Sequence, residues 1–164
     1  MPRNPILIAA LFALSGVVSY GLIVVRDEGT YLGGVTFGLL AAWQFVRSAK
    51  FGILTVIAAD LVWIASERIA ILLIADQHWN PYMGMAIAGL TGGAGVAAAA
   101  GLVKSIPWSA AAGVVAALPF GWWQQLGSDR PLPWCFVLWQ AAVGTTLLVS
   151  SSPVRALPDT VPDR

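Results

Sequence analysis

Charged side chains are scarce in this sequence, and their scarcity excludes most classes of soluble protein. Lys, Arg, Asp and Glu make up only 10% of the 164 residues, whereas soluble domains carry about 25% charged residues. So few charges cannot cover a water-exposed surface, and 58% of the residues are hydrophobic. Most of the outer surface must therefore face lipid, which predicts an integral membrane protein.

Cysteine and histidine occur once each, as Cys135 and His78. A single cysteine excludes an internal disulfide, and a single histidine excludes a haem held by two histidines of this chain or a histidine-rich metal site. The formal net charge is +1 and no basic cluster is present, although phosphate recognition requires clustered Lys and Arg. We therefore expect membrane lipids as partners and no nucleic acid. The sequence carries no metal or covalent-cofactor motif, and bound lipids are the one cofactor it predicts.

Several enzyme signatures are also missing. The chain contains no H-E-x-x-H zinc motif, no Walker lysine motif and no G-x-S-x-G nucleophile motif. No motif typical of a known membrane protein family is present. These absences favour a protein that is not an enzyme.

Hydrophobic runs are the dominant feature that the sequence does have. A bilayer core about 30 Å thick requires about 20 apolar residues per helix, and clusters of charged, Gly and Pro residues divide the chain into runs of about this length. The sequence predicts an all-α, polytopic integral membrane helical bundle in residues 1–150. The six transmembrane helices are expected at approximately 6–25, 30–48, 51–75, 83–103, 107–126 and 132–150. The tail at 151–164 contains three prolines and is expected to be irregular.

Two of these segments need comment. Arg3 followed by an apolar run is also typical of a signal peptide, but a run of about 20 residues exceeds the 7–15 residues of a signal core. This length favours a first transmembrane helix. The second segment is the weakest, because it ends at Arg47 and contains Gln44.

The distribution of basic residues predicts the orientation. Loops on the cytoplasmic side of a membrane are enriched in Lys and Arg. With a cytoplasmic N-terminus, six basic residues fall inside and two outside. The inner set is Arg3, Arg47, Lys50, Lys104, Arg155 and Arg164, and the outer set is Arg26 and Arg130. Both termini are therefore expected in the cytoplasm, and the membrane is expected to be a bacterial inner (plasma) membrane.

Aromatic residues agree with this orientation. Tryptophan and tyrosine favour the depth of the lipid headgroups. Five such residues cluster at the predicted outer boundary, namely Trp79, Tyr82, Trp122, Trp123 and Trp134. They predict an aromatic belt, and a docking surface is the alternative. Trp43 and Trp108 lie near the predicted inner boundary.

The third predicted helix carries Asp60, Glu67 and Arg68. A charge at the centre of a membrane helix costs roughly 2.5–3.5 kcal/mol on insertion scales. We therefore expect the charged side of this helix to face the bundle interior or a partner. Asp60 and Glu67 are seven residues apart and share one helix face. Either the three residues pair to hold helices or subunits together, or Asp60 and Glu67 form a protonatable site for transport.

The fourth predicted helix consists almost entirely of small residues. Small residues spaced by four allow helix backbones to approach closely in membranes. One such face comprises Gly84, Ala88 and Gly92, and a second comprises Gly89, Gly93, Ala97 and Gly101. The helix is expected to contact neighbours on more than one side.

These features support three functional hypotheses. The favoured hypothesis is a non-enzymatic accessory or scaffold subunit of a larger membrane complex, bound to other membrane subunits or to copies of itself. The second is a small proton- or ion-coupled transporter or channel that uses Asp60 and Glu67. The third is a lipid-modifying membrane enzyme in which the two carboxylates perform acid–base chemistry.

Overall fold

Six α-helices form the described part of the protein. A computed structural model describes residues 4–25, 32–46, 48–126 and 133–151, and these contain no β-strand. The helices are α1 (Pro5–Val25), α2 (Gly33–Phe45), α3 (Ala49–Ile71), α4 (Pro81–Ala99), α5 (Ile106–Gln125) and α6 (Pro133–Ser151). The predicted all-α class is confirmed for these residues. Of the predicted tail, only Ser151 is described.

The helices are arranged as a closed ring. Each helix packs against its neighbours in sequence, α6 returns to α1, and the interface between α4 and α5 is the most extensive. The close approaches of the glycines show that neighbouring helices are antiparallel. Gly34 and Gly38 of α2 lie against Asp60 and Val56 of α3, respectively, so residue numbers fall along one helix as they rise along the other.

Aromatic side chains fill the centre of the ring. Phe37 lies between Phe12 and Trp139, with ring centroids 5.0 and 5.8 Å away. Trp63 contacts Trp139 at 5.8 Å and Phe136 at 5.4 Å. These five residues, which we call the aromatic core, come from α1, α2, α3 and α6. Aromatic rings at such separations gain about 0.5–1.5 kcal/mol per pair beyond their hydrophobic burial.

Local capping interactions explain both ends of α4. The Asn80 side chain accepts a hydrogen bond from the Tyr82 backbone N–H at 2.9 Å, and Pro81 occupies the first helical position. At the other end Gly101 has φ of +72°. Gly101 and Leu102 donate backbone hydrogen bonds to Ala98 and Ala97, both at 2.9 Å, which is the Schellman pattern that ends many helices. The helix therefore stops at Ala99, four residues before the predicted end.

The second helix is shorter than predicted. It has 13 residues, which corresponds to about 20 Å at 1.5 Å per residue, whereas a bilayer core is about 30 Å thick. The chain leaves the helical conformation at Val46, which is extended, and Ser48 is extended as well. These residues reverse the chain direction so that α3 starts at Ala49, two residues earlier than predicted.

The third helix continues beyond Ile71 as a turn of π-helix at Leu72–Asp76. His78 then adopts a left-handed conformation with φ of +53°. Trp79 donates a backbone hydrogen bond to Leu73 at 2.8 Å. This turn redirects the chain into α4.

Three helical segments of the described residues are long and apolar enough to cross a membrane, which supports a helical membrane protein. They are Pro81–Ala99, Val103–Gln125 and Trp134–Ser151. A shorter apolar helix covers Ile6–Leu22. The 13-residue α2 and the charged α3 are not among these candidate spans.

Candidate functional site

Asp60 lies against the first turn of α2. A Cβ atom added to Gly34 would be 2.6 Å from the Asp60 Cα atom, and one added to Gly33 would be 2.6 Å from the Trp63 indole. The two glycines therefore allow α3 to approach the start of α2 more closely than any side chain would permit. This contact places the Asp60 carboxyl group at a helix N-terminus.

The carboxyl group of Asp60 caps α2 from outside that helix. The first backbone N–H groups of a helix have no partner within the helix, and the N-cap residue Leu32 supplies no side-chain hydrogen bond. The backbone N–H of Gly34 instead interacts with the Asp60 carboxyl group. The positive end of the helix dipole also favours a negative charge at this position. The Asp60 Oδ1 atom is shielded from solvent and makes no hydrogen bond to any residue that the structure describes.

A buried polar network holds the same turn from the side of α1. Ser19 is fully buried and donates a hydrogen bond to the Gly33 carbonyl oxygen at 2.8 Å. The Ser19 hydroxyl also lies 2.6 Å from the Thr36 hydroxyl and accepts from the Gln140 amide at 2.8 Å. The Ser15 hydroxyl donates to the Gln140 carbonyl. We call Ser15, Ser19, Thr36 and Gln140 the serine–glutamine network.

Glu67 and Arg68 occupy a different environment. Glu67 is half-buried and interacts electrostatically with the Arg68 guanidinium group. Arg68 is exposed on an outward stripe of α3 at helical spacing, which also contains Leu54, Ile57, Leu61 and Ala65 and continues to Leu72 in the π-helical turn. Glu67 lies seven residues from Asp60, or about 10 Å along the helix axis. Trp63 lies between Asp60 and Glu67 in sequence, and its indole packs against Phe136 and Trp139.

The glycines of α4 pack on two sides, and one predicted packing residue does not. Gly89 lies against the Gly113 carbonyl of α5, and Gly93 lies against that of Ser109. Gly84 faces Ile74 of the π-helical turn after α3, and Gly92 faces Trp139 of α6. Ala88 and Ala97 are buried. The assignment of Gly101 to a packing face is corrected, because Gly101 follows the end of α4 and an added Cβ would meet nothing within 4 Å.

The predicted outer aromatic residues lie at one end of the bundle. Trp79, Trp122 and Trp134 are exposed, whereas Tyr82 and Trp123 are half-buried. The Tyr82 ring packs on α5, since a Cβ added to Gly121 would be 3.1 Å from it. Trp43 and Trp108, at the opposite end, are 63% and 65% exposed.

Lys50 and Lys104 are exposed at the same end as Trp43 and Trp108. These two lysines are the described members of the predicted inner basic set. The others, Arg3, Arg47, Arg155 and Arg164, lie outside the described residues, as do Arg26 and Arg130.

The serine–glutamine network and the glycines of α2 were missed by the sequence reasoning. Gly34, Gly38 and Ala42 repeat at intervals of four, as do Ser15 and Ser19. This is the spacing that identified the packing faces of α4, and it would have identified α2 as a second close-packed helix. The pairing of Ser15 and Ser19 with Gln140 has no comparable signal, because it joins residues 125 and 121 positions apart.

The chemistry available at this site is that of hydrogen bonding and charge pairing. Among the residues that the structure describes, no group of three or more His, Cys, Asp or Glu side chains is placed to hold a metal ion. No protein-family model matches the chain, and neither a curated protein nor a solved structure matches it significantly.

Proposed function

We propose that this chain is a non-enzymatic, six-span subunit of a larger membrane complex in a bacterial inner membrane, with both termini in the cytoplasm. The apolar surface and the position of Lys50 and Lys104 at one end of the bundle support the orientation. Single cysteines at Lys104 and Gln77, introduced into a Cys135→Ser background, should react with an impermeant maleimide from opposite sides of the membrane. Reaction of both from the same side would refute the six-span topology.

The aromatic core is the observation that carries the proposal. A transport path through the ring would have to pass Trp139, whose ring contacts both Phe37 and Trp63. The polar groups beside them are already used in bonds between helices, since Gln140 is fully buried and bonded to both Ser15 and Ser19. An interior filled in this way suits a rigid element that presents its outer surface to other proteins.

The outward stripe of α3 supplies a surface for such a partner. Its apolar residues Leu54, Ile57 and Leu61 are 50%, 52% and 60% exposed, and Arg68 lies in the same row. A charged side chain on the outside of a membrane helix is costly in lipid. A protein partner that packs on this apolar row would shield the Arg68 side chain from lipid.

Site-specific crosslinking in native membranes tests this proposal. A photoreactive amino acid at Ala65 or Leu72 on the stripe should give a discrete adduct of constant mass. The same amino acid at Val115 or Leu118, which are exposed on α5, serves as the matched control and should give none. An adduct of twice the chain mass identifies a second copy, and a different mass identifies another subunit. A monodisperse monomer in mild detergent, without adducts at any position, would contradict the proposal.

One observation favours a transporter as the second candidate. The Oδ1 atom of Asp60 is shielded and makes no hydrogen bond within the described part of the chain, so that it is available to bind a proton or a cation. Under this hypothesis, Asp60→Asn and Glu67→Gln should abolish a pH-dependent flux in proteoliposomes while both variants remain folded. Asp76→Asn, which changes an exposed carboxylate beyond α3, is the control. Equal flux in all three variants would remove the residue-level support for transport.

A further inference from the structure

A groove opens at the end of the bundle where α2 ends and α3 begins. Its volume is about 470 Å³, and its walls include Phe45, Phe51, Leu54, Ala58, Ala99 and Ala100. The lining is mainly apolar, and Thr55 joins two of its walls by donating a hydrogen bond to the Ala99 carbonyl at 3.1 Å. The groove is therefore a defined feature of the packing between α3 and α4.

The sequence explains why this space is not filled. The chain between α2 and α3 is extended at Val46 and Ser48, so neither helix places a complete turn over the opening. On the opposite wall α4 ends at Ala99, and the residues that follow it are alanine and glycine. Small side chains and two helix ends together leave this space open.

Two lysines lie close in sequence to residues that line the groove. Lys50 directly precedes Phe51 of the wall, Lys104 follows Gly101 of the wall by three residues, and both lysines are exposed. Among the described residues the acidic side chains are Asp60, Glu67 and Asp76. The nearest of these to Lys50 in sequence is Asp60, which lies ten residues, or about 15 Å, along α3. No described carboxylate therefore accompanies the two lysines at this end.

The depth of the groove also matches a lipid. Trp43 and Trp108 are exposed at the same end of the bundle, and exposed tryptophans favour the level of the headgroups. An opening at this level places its apolar walls in the acyl region and its lysines among the phosphates.

We propose that the groove binds one acyl chain of an anionic phospholipid, with the phosphate held by Lys50 and Lys104. The proposal requires that the bundle lies in a bilayer, but it does not depend on the role of the chain as a subunit. Each lysine near an anionic surface contributes roughly fivefold to binding. The two together predict a roughly thirtyfold preference for phosphatidylglycerol over phosphatidylcholine of the same acyl chains.

Native mass spectrometry of the full-length protein with these two lipids tests the site. Ala58→Leu places a larger side chain inside the groove and should weaken the binding of both lipids at least fivefold. Ala65→Leu is the matched control, because Ala65 lies two helical turns away on the exposed surface of the same helix. The Lys50→Gln and Lys104→Gln double variant should reduce the lipid preference to less than threefold and leave phosphatidylcholine binding unchanged.

Each outcome bears directly on the proposal. Loss of binding in Ala58→Leu but not in Ala65→Leu, together with loss of preference in the lysine variant, establishes the site. Equal behaviour of the two leucine variants would show that the bound lipids are distributed over the whole surface, and would overturn it. A wild-type protein that binds both lipids equally would overturn the role of the lysines. Circular dichroism of each variant ensures that a misfolded protein is not scored.

Discussion

The contact between α4 and α5 provides the most direct test of the fold. In Gly93→Ala, the new methyl group would lie well inside the van der Waals distance of the Ser109 carbonyl oxygen. That oxygen belongs to the backbone and cannot rotate away, so the two helices must move apart by on the order of 1 Å. A gap of this size removes about a quarter to a half of the dispersion energy of each contact between them. Because this is the most extensive helix interface, we expect a destabilisation of about 2 kcal/mol or more, within the range for overpacked cores.

Unfolding of the purified protein in mixed micelles of mild detergent and dodecyl sulfate, followed by circular dichroism, measures this change. Gly21→Ala is the matched control, because an added Cβ at Gly21 meets nothing within 4 Å. Alanine is favoured over glycine within a helix by about 0.5–1 kcal/mol, so the control should be neutral or slightly more stable. If Gly93→Ala and Gly21→Ala unfold alike, the two helices do not meet at Gly93 and the packing described above is wrong.

Three further predictions concern the core and the turn after α3. Gln140→Leu should destabilise the protein by about 1 kcal/mol, because it removes two hydrogen bonds and each bond between membrane helices contributes about 0.6 kcal/mol. A double-mutant cycle with Ser15→Ala should show coupling. Strict additivity would argue against the Ser15–Gln140 bond. Trp139→Ala removes the centre of the aromatic core and should lower the free energy of unfolding by about 3–5 kcal/mol. Trp108 is exposed, so Trp108→Ala is the control and should change it by less than about 0.5 kcal/mol. Similar losses of stability in the two variants would contradict the assigned burial. His78→Gly should stabilise the protein by about 1 kcal/mol, because a left-handed conformation is strained in any residue with a Cβ. His78→Ala keeps a Cβ atom, so it is the control and should show no gain in stability.

The sequence predicted the helices more reliably than the contacts between them. Hydropathy alone located six helical segments, because each segment had to be apolar over most of its length. Helix ends depend on single residues, and the sequence contains some of the residue pairs that typically begin or end a helix. Asn80 followed by Pro81 is a typical helix start, and Gly101 followed by Leu102 is a typical helix end. The spacing of small residues places Gly101 on a packing face, but the same glycine also marks the end of α4.

The length of α2 was less accessible to prediction. The residues around its end, Gln44 to Ser48, include polar side chains that are compatible with both a helix and a turn. The end of α2 is decided by where the chain must turn back to begin α3. The position of α3 depends in turn on the glycines of α2 that lie against it. The meeting of Gly34 with Asp60 is a tertiary contact, and tertiary contacts override local preference.

The first turn of α2 is contacted by polar groups of both α1 and α3. Ser19 of α1 donates a hydrogen bond to the Gly33 carbonyl oxygen. The Asp60 carboxyl group of α3 interacts with the Gly34 N–H. A short helix that lacks a capping side chain of its own needs such external partners, because an unpaired backbone group costs more in lipid than in water. Asp60 therefore has a structural reason to exist that does not require a transported ion. Glu67 has no such contact with α2, and its charged neighbour Arg68 belongs to the outward stripe. The charges of α3 thus divide into one that joins helices within the chain and two that lie toward its surface, and this division favours a subunit over a transporter.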